Sequence, residues 1–165
     1  DPKTAINKML VNFDRRFDDE MRAAAQEKGY SVRDIVIIAS MIEKETDGTD
    51  QAHIASVIYN RLTNTSAETV GLLGIDATLV YALGRPITQD DYQTADTPYN
   101  TYKYQGLPPG PISNPGMVAI RAAMNPDSTS DYYYVLGNDG KHHFFKTLKG
   151  QQDFIAQQQV EKRSG

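Results

Sequence analysis

Two glutamates close an apolar run in this chain, Asp34-Ile35-Val36-Ile37-Ile38-Ala39-Ser40-Met41-Ile42-Glu43-Lys44-Glu45-Thr46, with one lysine between them. A carboxyl group in such a place can serve as a general acid, because partial burial disfavours its charged form and raises its pKa toward the working range. Helical phase separates the two. At about 100° per residue, the summed direction of Ile35, Val36, Ile37, Ile38, Met41 and Ile42 lies about 20° from Glu45 and about 140° from Glu43. Glu45 is therefore the candidate catalytic residue, and Glu43 reads as solvated. The ordinary alternative for a glutamate at a helix end is a basic partner or simple hydration, and the rest of the chain must decide between them.

A second stretch with chemical content is 95–116, too rich in proline and glycine for a helix or a central strand. Long irregular segments inside a compact domain tend to be functional. Tyr99, Tyr102 and Tyr104 offer flat faces, and Asn100, Thr101 and Ser113 offer donors and acceptors. Sugars present that mixture, with apolar ring faces and hydroxyl edges. A rigid loop packed by its own tyrosines is the competing reading.

Other chemistries lack their residues. There is no strained Gly-x-Ser-x-Gly elbow and no phosphate-cradling glycine loop after a strand. With no cysteine, disulfides and thiolate metal sites are excluded. His53 reads as a lone surface histidine, and His142 and His143, as neighbours on a strand, face opposite sides and cannot readily chelate one ion. A net charge of −4 gives no nucleic-acid footprint. No cofactor is expected, and nothing in the chain suggests a pyridoxal phosphate site.

Ala39-Ser40-Met41-Ile42-Glu43-Lys44-Glu45-Thr46 resembles the signature of the endolytic murein transglycosylase family (MltG, or YceG-like). Tyr99-Asn100-Thr101-Tyr102, then Gly106-Leu107-Pro108-Pro109-Gly110-Pro111-Ile112 and Asn114-Pro115-Gly116, resemble its second signature in order and spacing. Asn60-Arg61-Leu62 matches the family's Asn-Arg-Leu, and His142 with Phe144 and Thr147-Leu148 resembles its His-x-Phe-x-x-Thr-Leu element. Two departures stand out: Asp76-Ala77-Thr78 replaces the usual Asp-Pro-Thr, and Gln151 stands where a histidine is expected.

The resemblance implies a lytic transglycosylase, with Glu45 as the catalytic residue of the Glu-Lys-Glu motif. It also implies a substrate-binding set of Ser40, Arg61, Asp76, Thr78, Tyr99, Asn100, Thr101, Tyr102, Pro108, Ser113, Asn114 and His142. The substrate would be the glycan strands of peptidoglycan, cleaved between N-acetylmuramic acid and N-acetylglucosamine to leave 1,6-anhydro ends. It further implies an N-terminal membrane anchor, a LysM-like domain, an extracytoplasmic catalytic part and a place beside the cell-wall synthesis machinery. The rival readings are a lysozyme-like hydrolase using Glu45 and Asp76, and a peptidoglycan-binding module without turnover.

The elements that must position these residues are mostly helical. Ser31 and Asp34 open the Glu45 helix, and Asp47-Gly48 reads as its stop. Residues 4–28 read as one amphipathic helix with Ile6, Leu10, Phe13, Phe17, Met21 and Ala24 on its apolar side, ended by Gly29. Asp50 is expected to cap a helix running to about Asn64, and Asp76 a short one from Ala77 to Leu83 closed by Gly84. Residues 65–75 read as a flexible loop. Asn114 and Pro115 should open a helix through Met124. Strands around Gly137-Asn138-Asp139-Gly140 form a β-hairpin spanning 132–145, a closing helix runs from about Thr147 to Glu161, and Lys162 to Gly165 should fray.

The whole, at 165 residues and 39% hydrophobic, is expected to be one domain over 1–165, since that composition is ordinary for a soluble globular chain. Its class is α+β: helices packed around a buried, lysozyme-like active-site helix, with a small antiparallel sheet. The chain opens at Asp1-Pro2 without methionine and contains no apolar run of membrane-spanning length, so it reads as a fragment of something longer.

Overall fold

The structure, a computed structural model, describes residues 1–46 and 48–164. The described elements are α1 (Pro2–Arg16), α2 (Asp19–Glu27), α3 (Val32–Glu45), α4 (Gln51–Thr63), α5 (Asp76–Leu83), α6 (Asp91–Thr94), α7 (Met117–Met124), β1 (Tyr133–Leu136), β2 (His142–Phe145) and α8 (Leu148–Ser164). Helices with one two-stranded antiparallel sheet make the fold α+β.

α3 is the axis of the core. A capping box opens it: the Asp34 N–H donates to Ser31 Oγ at 3.1 Å and the Ser31 N–H to the Asp34 carboxylate at 2.8 Å. Ile35, Ile38, Met41 and Ile42 are completely buried, and α2, α4, α5 and α7 pack around the helix. An element apolar on most sides requires neighbours on most sides. The helix ends at Glu45, earlier than the predicted stop at Asp47-Gly48, of which Asp47 lies outside the described residues.

The single helix expected over 4–28 is two. Asp18 accepts from the Met21 N–H at 2.9 Å and caps α2, while Phe17 leaves helical geometry and buries its ring completely. The apolar side is therefore divided. Phe17 enters the core, whereas no residue of α1 is buried and Ile6 and Leu10 are about 60% exposed.

Asp50 and Asp76 were both expected as caps, and neither makes a side-chain cap bond. Asp50 stands at the N-cap position of α4, but its carboxylate is taken by Thr46 and His142. Asp76 is the first residue of α5, with Ile75 before it as N-cap, and its carboxylate is taken by Tyr102 and Tyr92. Likewise α7 begins at Met117 with Gly116 as N-cap, two residues later than Asn114 would set it. α8 continues through Ser164, so the fraying expected from Lys162 is not observed up to that residue, and Gly165 lies outside the described residues.

In the hairpin Tyr134 pairs with Phe144 and Leu136 with His142. Tyr134, His142 and Phe144 therefore share one face, which turns toward α3 and α4. The opposite face, with His143 and Phe145, is covered by Phe154 of α8. His53 is not a free surface residue: it bonds Asp131 at 2.8 Å and stacks on Phe144 with centroids 3.5 Å apart.

Candidate active site

Glu45 is the last helical residue of α3, half-buried where the helix leaves the core. Tyr134 Oη donates to its Oε2 at 2.6 Å. Burial pushes the Glu45 carboxyl above the ordinary carboxylate value; the Tyr134 bond pulls it down, the charge of Asp76 pushes it up, and His142 and Arg61 pull it down. The negative end of the α3 dipole also disfavours the ionised form. Burial drives the Tyr134 phenol well above its usual range, with the adjoining carboxylate adding to it, so Tyr134 stays a donor. Glu43, by contrast, is exposed and accepts from the Gly116 N–H at 3.2 Å.

Two pockets adjoin at Glu45. One, of about 490 Å³, has Arg61, Glu68, Asp76, Tyr102, Tyr133, Tyr134 and Gln151 on its walls. The other, of about 540 Å³, has Thr46, Asp50, Lys141 and His142. The carboxyl group thus stands at the junction of an open groove. Among the described residues no group of three or more His, Cys, Asp or Glu side chains is arranged to hold a metal ion, and no helix is long and apolar enough to cross a membrane.

Each wall has a local cause. Arg61, 9% exposed, donates Nε to the Tyr132 carbonyl at 2.6 Å and Nη1 to the Leu73 carbonyl, and its guanidinium lies 5.5 and 5.8 Å from the Tyr133 and Tyr134 ring centres. It ties the hairpin to the segment before Asp76. Gly74 lets that segment pass: at φ +58°, a Cβ there would meet Arg61 Nη1 and the Tyr102 ring at 3.4 Å. In the second pocket Asp50 accepts from Thr46 Oγ1 at 2.7 Å and pairs with His142 Nδ1 at 2.7 Å. That pairing fixes which imidazole nitrogen faces the carboxylate and leaves Nε2 for other partners.

The expected binding set divides in two. Arg61, Asp76, Tyr102 and His142 line the pockets with Glu45. Ser40, Thr78, Asn100, Thr101 and Pro108 do not, because they are buried. Ser40 Oγ donates to Ile37 O and accepts from the Ile112 N–H at 3.0 Å, and Ser113 Oγ reaches Ser40 O at 3.0 Å. Asn100 donates to Ala95 O and Tyr92 O and accepts from the Tyr102 N–H at 3.1 Å. Thr101 accepts from the Ile75 N–H at 2.9 Å and lies 3.0 Å from Thr78 Oγ1. Polar side chains taken from water must be satisfied within the protein, and the structure places Ser40, Thr78, Asn100 and Thr101 in internal hydrogen bonds and not on the pocket walls. Tyr99 leans on Tyr81 and Asn114 is exposed, and neither lines the two pockets.

Several residues on the pocket walls lie outside the expected set, Tyr134, Asp50 and Gln151 among them. From sequence Tyr134 is a strand residue, Asp50 a helix cap, and Gln151 a departure from an expected histidine; in the structure Gln151 donates to Tyr134 O at 2.7 Å. A signal for Tyr134 existed. In a hairpin closed around 137–140, strand parity puts 134 on the face of 142.

The profile of the YceG-like family matches residues 1–157. The chain belongs to the YceG-like family. This YceG-like chain is 36% identical over 155 residues to the endolytic murein transglycosylase of Bacillus subtilis (strain 168), covering 90% of itself and 42% of that protein. It is 31% identical over 151 residues to the endolytic murein transglycosylase of Streptococcus pneumoniae serotype 2 (strain D39 / NCTC 7466), covering 86% of itself and 26% of the relative. A crystal structure of a yceG-like protein from Listeria monocytogenes superposes with a TM-score of 0.81 at 36% identity, over 93% of this chain and 49% of that one. The YceG-like chain thus spans less than half the length of these relatives.

Proposed function

We propose that this chain carries the active site of an endolytic peptidoglycan lytic transglycosylase, with Glu45 as general acid and then base. The observation that carries the reading is the half-buried Glu45 carboxyl, its pKa raised by burial, at the junction of two open pockets. A groove open on both sides of the acid suits a bond inside a polymer. The names of the relatives point the same way.

Protonated Glu45 gives its proton to the glycosidic oxygen as the C1–O4 bond breaks and positive charge spreads onto the ring oxygen. The Glu45 carboxylate then takes the proton of the muramoyl C6 hydroxyl as that oxygen closes on C1, forming the 1,6-anhydro end without water. General acid catalysis contributes on the order of 10²–10⁴-fold, and substrate positioning supplies much of the remainder. On this reading Arg61 organises the groove, while Tyr102 and His142 contact the glycan. The work belongs on the extracytoplasmic side of a bacterial membrane, beside the cell-wall synthesis machinery and with an anchor holding it there.

Mass spectrometry of purified glycan strands incubated with the protein tests this. Anhydro-muramoyl ends are expected, and reducing ends alone would replace the reading with hydrolysis. Glu45→Gln keeps the shape of the side chain, and it should abolish turnover while strands still bind in a pull-down. Equal turnover in that variant would remove Glu45 from the chemistry.

A further inference from the structure

Asp76 sits in an arrangement that helix formation does not require. It is exposed and occupies the first helical position of α5, and its carboxylate makes no cap bond. Instead Tyr102 donates to Oδ1 at 2.5 Å and Tyr92 lies 3.3 Å from Oδ2. The two phenol rings meet edge to face with centroids 4.6 Å apart. Each comes from its own element. Arg85 grips Asp91 through two bonds of 2.8 Å and so fixes α6, which carries Tyr92. Asn100 fixes the turn that carries Tyr102. Three segments converge to hold one carboxylate on the wall of the Glu45 pocket.

The charges explain what it is held for. Arg61 is a buried cation on the same wall, bonded to two carbonyl oxygens and not to a carboxylate. Such a cation favours the ionised form of Glu45, the wrong form for an acid. It also opposes positive charge on a sugar ring. A nearby fixed anion reverses both effects.

We infer that Asp76 is the electrostatic partner of Glu45, an anion that keeps the acid protonated and then stabilises the cationic sugar ring as the C1–O4 bond breaks. The inference rests on the transglycosylase reading. Asp76 forms no bond to C1 and activates no water in this role: phenol donors occupy both its oxygens.

The groups facing Glu45 and Asp76 are Arg61 from α4, Asp50 at the start of α4, Glu68 from the segment before α5, Tyr92 from α6, Tyr102 from the following loop, and Tyr133, Tyr134, Lys141 and His142 from the hairpin. Of these, Asp76 raises the proton affinity of Glu45, and Arg61, His142 and the Tyr134 bond lower it. A general acid works protonated, so activity falls as pH rises through its pKa. Removing Asp76 must move that fall to lower pH.

The test is kcat and KM against pH on soluble glycan strands for the wild type, Asp76→Asn and Asp76→Ser, the serine variant retaining a residue suited to a helix start. Both are expected to lose about 10²-fold in kcat with KM within about 3-fold, and to shift the upper pH limb downward. A wild type that makes anhydro ends, with variants that keep its kcat and pH limb, overturns the role of Asp76 alone. A wild type that makes none overturns the underlying reading. Reducing-end products that vanish in the variants would make Asp76 a hydrolytic base and overturn both.

Discussion

The two sides of the groove are built on opposite plans. The 95–116 loop has the denser motif, yet Asn100, Thr101, Pro108 and Ser40 beneath it are buried, and of its signature tyrosines Tyr102 alone lines the Glu45 pocket. The hairpin around 133–145 looks like ordinary strand, yet it delivers Tyr134 to Glu45 at 2.6 Å and His142 to the adjoining pocket. A motif marks where a sequence is constrained, and a loop that must hold a shape without ladder hydrogen bonds is constrained throughout. Proximity to the chemistry follows a different rule.

That contrast can be broken by substitution. The largest effect should come from Asn100→Ala, which strips partners from two buried carbonyls and the Tyr102 N–H, at about 2–4 kcal/mol. For a chain of this size Tm falls by roughly 5–15 °C in calorimetry, while kcat of the folded protein at low temperature falls less than in the Asp76 variants, because Asn100 acts only through the turn that carries Tyr102. A stable variant with lost turnover would move Asn100 into the chemistry.

Tyr134→Phe should do the reverse. It should cost about 1 kcal/mol in stability but roughly 10-fold in kcat. Its pH signature is opposite to that of the Asp76 variants. The Tyr134 bond holds the Glu45 pKa down, so its loss raises that pKa and moves the upper limb of the profile to higher pH. A downward shift would mean that the phenol does not stabilise the carboxylate.

Asp50→Asn tests the second pocket more gently. The asparagine can still accept from Thr46, but its pairing with His142 becomes neutral, and a kcat loss of about 3-fold with little change in Tm is expected. The smallest effect belongs to Asn114→Ala. The side chain is exposed and lines neither pocket, so stability should hold within about 0.5 kcal/mol and turnover should match the wild type. A clear loss of activity there would extend the glycan path beyond the groove described.

Local pattern was sufficient for several elements and misleading for others. The capping box at Ser31, the stop at Gly84 and the hairpin arise within a few residues of themselves, and the structure has all three. The continuous apolar periodicity of 4–28 concealed a break, because one helix cannot bury Phe17 in the core and also follow Ile6 and Leu10 away from it. Asp50 and Asp76 looked like caps because an isolated helix start has no better partner to offer. The fold brought partners from 26 and 92 residues away.

What the chain determined unaided was the direction of Glu45. The 3.6-residue repeat sets it on the apolar side of its helix, and that side must be covered. What only tertiary structure decided was the company this carboxyl keeps: a phenol from one strand, an anion held by two tyrosines, a buried guanidinium and a histidine anchored by Asp50. Periodicity acts within a single element, whereas electrostatics acts through space, and residues far apart in sequence become neighbours only when the helices close around α3.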